Sequence, residues 1–462
     1  MIAMQNSFEH KAGCESVSAA KRRFHLGCLL IAAAILHLSV TFAVFMIGRY
    51  QLFPSQVHPS GIGKFASDGI IYQDQVEELS GLLKARGGRV WATWPNQLHV
   101  RLYSLSYAIF SRWVSFNILT IEPLNLIYYL AIVVVVFRIS EGIFGYRPAL
   151  IAAGIVALWP SFVLHTTQLL RDPLLITAVV LLVYCLVQLL QVTFTWRRAL
   201  LLLLAALWSL VTIRIVRLPM WVVIVAAVAA AVIVFAVCSI QRKQLRAGNL
   251  AAALLMMAAV AVIPKFQPFF HNQQELGRPR LVENERMANL PLEDQMSERR
   301  RAFRYSVDPN GDVLLADDGS RIDTEVKLDG PAAIVRHVPR ALVVGFFAPF
   351  PNMWLQSGKQ VGLSGRVISG FEMLLTYVIE LLALFGLWSQ RKHLSAWLLL
   401  FIIGLGALAL GLVVNNMGAM YRLRYPFWVL MVILGAGGLS FLYQHFTRRN
   451  NLPNNTSREI SI

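Results

Sequence analysis

The side chains in this chain best suited to chemistry are aspartates and arginines, and they fall in four short groups. Asp68 stands in Ser67-Asp68-Gly69-Ile70-Ile71-Tyr72, ahead of an amphipathic stretch over 73–84. A carboxylate there can cap the following helix by accepting backbone N–H groups, and as an acidic group beside a span it is also a place to look for function. Arg171-Asp172-Pro173 forms a second group. Asp before Pro reads as a helix start, while Arg171 suits either an anion or lipid headgroups. Arg214 and Arg217 lie three apart, which on a helix places both on one face. Two guanidiniums on one face can grip a phosphate bidentately, or snorkel to headgroups. The fourth group is Tyr421-Arg422-Leu423-Arg424-Tyr425-Pro426, readable as an anion site or as an interfacial anchoring belt. Arg336, His337, Arg340 and Lys359 read as solvated loop residues.

Other chemistries are missing from the sequence. There is no phosphate-cradling glycine loop, no paired-cysteine or HExxH metal signature and no GxSxG nucleophile elbow. The turn around Asp308 and Asp312 lacks the ligand spacing and terminal Glu of a calcium loop. With no cytoplasmic catalytic domain in sight, the outer face is left as the working side.

These groups must be carried by elements that live in lipid. Of the 462 residues 56% are hydrophobic and only 15% charged, against about a quarter charged in soluble domains. Mean hydropathy is +0.57. Long uncharged runs alternate with short charged ones, which predicts an all-α membrane fold: a polytopic bundle of about ten transmembrane helices. The net charge of +17 sits in short clusters between apolar runs. That distribution sets membrane orientation and argues against a nucleic-acid partner. The four cysteines, Cys14, Cys28, Cys185 and Cys238, avoid the long loops, so no disulfide framework is expected there.

The first span is expected over 26–47, uncleaved, behind Lys21-Arg22-Arg23 and a cytoplasmic tail at 1–25. An outer loop over 48–122 follows, with 98–114 reading as a helix lying on the membrane surface. Spans then alternate to 264. A loop domain is expected over 265–367, with a hairpin turning at 309–312, a second turn at 317–320, and an aromatic, proline-rich stretch over 339–351 that dips to the membrane. Residues 368–446 supply the last transmembrane helices and 447–462 a cytoplasmic tail. Basic inner loops at Arg138/Arg147, Arg197-Arg198, 242–246, Arg391-Lys392 and Arg448-Arg449 put both termini inside and the four chemical groups outside, in a plasma or inner membrane. The spans read as nearly free of charge at mid-depth and no internal repeat is visible. Both features weigh against a transporter.

With the groups placed in this order, the chain resembles the GT-C superfamily of membrane glycosyltransferases, of the family 39 type that uses polyprenyl-phosphate sugars. Asp68 with Tyr72 follows the first span, and an amphipathic helix over 98–114 shares that loop. The turn from Phe137-Arg138 to Phe144-Gly145-Tyr146-Arg147 resembles the family's cytoplasmic turn. Trp159-Pro160-Ser161 leads to Arg171-Asp172-Pro173, and Arg422-Leu423-Arg424-Tyr425-Pro426 is similar to the family's entry to a late span. The match covers 25–220 and 415–445. The family's first-loop acidic pair is Asp68-Gly69 here, so one carboxylate is carried over and a divalent metal stays open.

The resemblance implies inverting transfer of a sugar from a polyprenyl-phosphate donor to a glycan, lipid or protein acceptor. Asp68 would be general base, with Asp172 and Arg171 positioning it or the substrate. Tyr72, Arg214, Arg217, Arg422 and Arg424 would contact substrate or the leaving phosphate. An O-antigen-type polymerase or ligase, which would not need Asp68, and a transporter without chemistry are the competing readings.

Overall fold

The computed structural model describes residues 18–66, 68–94, 97–191, 195–241, 247–266, 290, 294, 296–298, 300, 305–307, 313–315, 321–326, 328, 330–355 and 362–450. Among these, nine helices are long and apolar enough to cross a membrane, and a tenth span results if one bent pair is counted as one. The chain is an all-α polytopic membrane bundle.

Helix α1 (Ala19–Arg49) begins it, and the next segment climbs to α2 (Asp68–Thr93) and α3 (Leu98–Phe110). Gly87, at φ 79°, breaks α2 into two runs. Helix α3 packs against α2 and against α4 (Ile118–Phe144), burying His99, Val100, Tyr103, Ser104, Ser106 and Tyr107. Its helical part stops at Phe110, four residues short of the stretch expected from sequence, and the chain turns there.

The segment expected as the third span is bent into two helices. Helix α5 (Tyr146–Leu158) and the short α6 (Pro160–Thr166) meet at a 62° bend at Trp159-Pro160. Proline has no N–H for the preceding turn and biases Trp159 toward extended backbone, here at φ −73°, ψ 115°. Helix α7 (Asp172–Gln191) follows and is buried on almost every side, as a helix apolar all round should be. Helices α8 (Trp196–Val216), α9 (Trp221–Gln241) and α10 (Ala247–Val262) complete this half.

In the long loop, β1 (Tyr305–Val307) pairs antiparallel with β2 (Val313–Leu315), with Val307 opposite Val313, so the two strands expected to flank 309–312 are paired, while the turn itself lies outside the described residues. The second expected turn, at 317–320, and most of 271–304 lie outside the described residues. The proline-rich stretch expected over 339–351 is in large part a helix, α11 (Pro331–Phe347), with Pro339 inside it. Helices α12 (Gly362–Ser389), α13 (Leu394–Val413) and α14 (Met417–Asn450) finish the chain. Glycines let these helices touch backbone to backbone. A Cβ at Gly345 or Gly411 would collide with the Ala407 or Ala341 carbonyl, which locks α11 to α13.

The loop is also tied to the turn that opens α14. Ile322 N–H donates to the Asn415 carbonyl at 3.0 Å, and the buried Arg300 donates to the Leu412 and Asp323 carbonyls at 3.0 and 2.7 Å. Arg340, expected to be solvated, is held bidentately by Asp323 at 3.0 and 3.1 Å.

Contrary to the expectation from sequence, ionisable side chains do lie inside the spans. His37 of α1 sits 2.7 Å from Glu122 of α4, with Thr41 donating to the same carboxylate at 2.9 Å and Thr166 Oγ1 lying 3.1 Å from His37 Nε2. Glu372 and Glu380 lie within α12. All of these are buried or half-buried and face protein, and His37, Glu122 and Glu372 find hydrogen-bond partners there.

Candidate active site

Asp68 is the first residue of α2 and Tyr72 lies four on, so one helical face presents both. The following residue is glycine for a visible reason. A Cβ at Gly69 would press to 3.1 Å on both the Leu169 carbonyl and the Ile62 side chain, so glycine lets α2 start close to the 167–171 turn without crowding it. The helix-cap reading of Asp68 is not what the structure contains. Among the described residues its carboxylate accepts from Arg422 Nη2 at 3.1 Å and from no backbone N–H.

The 167–171 turn is pinned from three sides. Asn125 Nδ2 donates to the Gln168 carbonyl at 3.2 Å, and Tyr103 Oη lies 3.1 Å from the Leu170 carbonyl and 2.6 Å from Asn125 Oδ1. Gly63 N–H donates to Gln168 Oε1 at 2.8 Å. This fixed backbone delivers Arg171 and Asp172 to the mouth of α7. Asp172 is only 6% exposed.

Arg217 reaches the same place by leaving its helix. Helix α8 ends at Val216, and Arg217 has φ −151°, ψ 81°. The expectation that Arg214 and Arg217 share a helical face therefore fails, because that spacing holds only while the backbone is helical. Arg214 instead lays its guanidinium over the Trp221 ring, 5.5 Å from the centroid.

Arg422 and Arg424 also separate. Two residues along a helix turn about 200°, so their side chains leave α14 on opposite faces. Arg422 meets Asp68. Pro426, four residues on, has no N–H to give the Arg422 carbonyl, which loosens the helix where it enters the site. Arg424, 9% exposed, donates to the Ala348 carbonyl and to Met373 Sδ.

The outcome is one cavity of about 250 Å³ lined by Asp68, Tyr72, Leu170, Arg171, Asp172, Arg217, Ala419, Arg422 and Leu423. Six of the eight residues singled out from sequence meet there; Arg214 and Arg424 do not. Three guanidiniums face two carboxylates, and among the described residues neither Arg171 nor Arg217 makes a hydrogen bond or ion pair of its own. Burial pushes the Arg217 guanidinium down to about 10, and neighbouring Arg171 pushes the same way while Asp172 partly offsets it. Burial raises the Tyr72 phenol, Arg171 opposes this, and Asp68 and Asp172 add to it, so the hydroxyl keeps its proton near neutrality. Below Tyr72, His99 meets its ring edge-on at 4.5 Å and is held well below its ordinary value by burial, then by Arg171.

A divalent cation does not fit this donor set. Each carboxylate is already faced by guanidinium charge, and no three His, Cys, Asp or Glu side chains converge among the described residues.

Sequence reasoning passed over His165 and Glu372, which brace the cavity from α6 and α12. Glu372 is 2% exposed and accepts from Ser161 N–H at 2.8 Å and from the Tyr421 hydroxyl. Its signal was available: a carboxylate inside an apolar span is costly and marks a position with a task.

No family model matches the chain, and no curated protein matches it. Among solved structures it is similar to the archaeal oligosaccharyltransferase AglB from Archaeoglobus fulgidus, in complex with an inhibitory peptide and a dolichol-phosphate. The two are 14% identical with a TM-score of 0.49, over 96% of this chain and 53% of that one, so the chain spans about half the length of that structure.

Proposed function

We propose that the chain is an integral membrane glycosyltransferase that moves a sugar from a polyprenyl-phosphate donor to an acceptor hydroxyl, on the extracytoplasmic face of the plasma or inner membrane. The observation that carries this reading is the cavity itself: a partly exposed carboxylate, Asp68, beside two guanidiniums that have no partner among the described residues and a third that holds it. An anionic leaving group needs such guanidiniums, and a hydroxyl nucleophile needs such a base. The basic loops at the opposite end of the bundle support the assignment of face.

In the reaction, Asp68 accepts the proton of the acceptor hydroxyl as that oxygen attacks the anomeric carbon. The bond from anomeric carbon to phosphate oxygen breaks on the far side, its electron pair goes to the phosphate, and configuration inverts. Arg171, Arg217 and Arg422 stabilise the lipid monophosphate as its charge grows. Asp172 offsets the mutual repulsion of these cations and keeps them in place. The Asp68–Arg422 contact adds an order to the steps. A phosphate arriving at Arg422 competes for the guanidinium and frees the carboxylate, so donor binds before acceptor.

Purified protein incubated with a panel of labelled polyprenyl-phosphate sugars should release the lipid phosphate and label an acceptor fraction. Asp68→Asn should lose roughly 10²–10⁴-fold in rate while keeping its thermal unfolding curve. Full activity in Asp68→Asn would sink the base assignment and favour a polymerase or ligase of the O-antigen type. Stable transport of the lipid-linked sugar across vesicles, with no transfer, would replace the enzyme by a transporter.

A further inference from the structure

His165 lies on α6, six residues before Arg171, and nothing in the proposed chemistry uses it. Its Nδ1 is 2.7 Å from the Ser161 carbonyl oxygen. A carbonyl only accepts, so Nδ1 carries the proton and, in the neutral ring, Nε2 carries the lone pair. The Tyr425 hydroxyl sits 3.2 Å from the same Nδ1. Nε2 has no hydrogen-bond partner among the described residues, and the side chain is half-buried rather than sealed.

The ring is held firmly. Phe65 meets it edge-on at 5.2 Å and Tyr425 packs against it at 5.5 Å. Phe65 is three residues before Asp68, and Tyr425 is three residues after Arg422, so chain adjoining two of the cavity residues grips this imidazole. Arg422 and Asp172 are close enough to act on it electrostatically. Behind it, Ser161 is itself fixed. Its N–H donates to the buried Glu372, and its hydroxyl accepts from Tyr425 at 3.0 Å. A chain of satisfied groups thus orients one imidazole and leaves one acceptor idle within electrostatic reach of Arg422 and Asp172.

We propose that His165 Nε2 accepts a hydrogen bond from a hydroxyl of the carbohydrate bound in the cavity, and so helps select the sugar that reacts. This rests on the glycosyltransferase reading above. The two amides divide the imidazole between them. His165→Asn keeps a donor near the Nδ1 position and has nothing at Nε2. His165→Gln places an amide oxygen near Nε2 and gives up the short-range donor.

The experiment is steady-state transfer by the full-length protein with donor and acceptor varied in turn, together with unfolding curves of both variants. His165→Asn should raise KM for one substrate by roughly tenfold or more with kcat little changed, while His165→Gln stays within about threefold of wild type. A KM effect on the donor assigns the hydroxyl to the transferred sugar; an effect on the acceptor assigns it to the acceptor glycan. Loss in Gln but not Asn, equal loss in both, or no loss in either overturns the inference and leaves the reaction standing. A wild-type protein that transfers no sugar overturns both.

Discussion

Two cavities open on opposite sides of helix α14, and each is served by one arginine of Arg422-Leu423-Arg424. The first, about 250 Å³, is lined by Asp68, Asp172 and three arginines. The second admits the centre of a water-sized sphere over only about 20 Å³, and its walls are Phe346, Ile403, Leu410, Phe427 and Met431. Arg424 and Glu380 both face it without forming an ion pair, and among the described residues Arg424 Nε, Glu380 Oε2 and Trp428 Nε1 have no hydrogen-bond partner. In sequence the two arginines look equivalent, since each is flanked by an apolar residue and a tyrosine is near both. The helix distinguishes them. One enters a roomy polar space where a ligand can meet it; the other is walled in by apolar side chains, with room for one water.

Arginine-to-methionine exchanges at the two positions test this difference most severely. Arg422→Met removes a charge that the leaving phosphate would need and should lower kcat by roughly 10²–10³-fold, with the unfolding curve nearly unchanged. Arg424→Met combined with Glu380→Gln removes a buried cation and its unpaired carboxylate together. Replacing buried charge by packed apolar groups is often neutral or stabilising, so activity should stay within about threefold and Tm should hold or rise. If the double variant folds and transfers no sugar, Arg424 belongs to the working site after all. Equal losses at both positions would abolish the contrast between the two cavities.

The sequence made the bundle legible because lipid leaves backbone groups few solutions: runs long enough to span must be helices. It also made Asp68, Tyr72 and Arg171-Asp172 legible, since each sits at a helix start where short-range spacing decides geometry. The arginines were less legible, because their destinations depend on a few degrees of backbone. The face shared by Arg214 and Arg217 was misread, because α8 stops one residue before Arg217. The sign of that was Pro219, which disfavours helix at Leu218 and ends α8 early. His165 and Glu372 were passed over for another reason. Their importance comes from meeting Tyr425, Tyr421 and Ser161 across α5–α6, α12 and α14, and no local spacing encodes a contact between residues 211 apart in the chain.

The arginine pair at the end of α8 offers a finer version of the same contrast, and pH can read it. Arg217 lines the first cavity, whereas Arg214 rests on Trp221. Arg217→Gln should therefore weaken donor binding by roughly tenfold and Arg214→Gln by less than about twofold. The free site should also report Arg217 directly. Its guanidinium is held down to about 10 by burial and by Arg171, so it loses its charge as pH rises through that value, while an ordinary arginine stays protonated to about 12.5 or above. Fewer positive charges then face the incoming phosphate. The donor KM should be flat from pH 8 to 9, climb through about 10, and show no such climb in Arg217→Gln, whose site has already lost that charge. Bound phosphate favours the protonated guanidinium, so kcat at saturating donor should bend at higher pH than KM does. A wild-type profile flat to pH 11, or the same climb persisting in Arg217→Gln, would move the phosphate contact away from Arg217 and leave Arg171 and Arg422 to hold the leaving group.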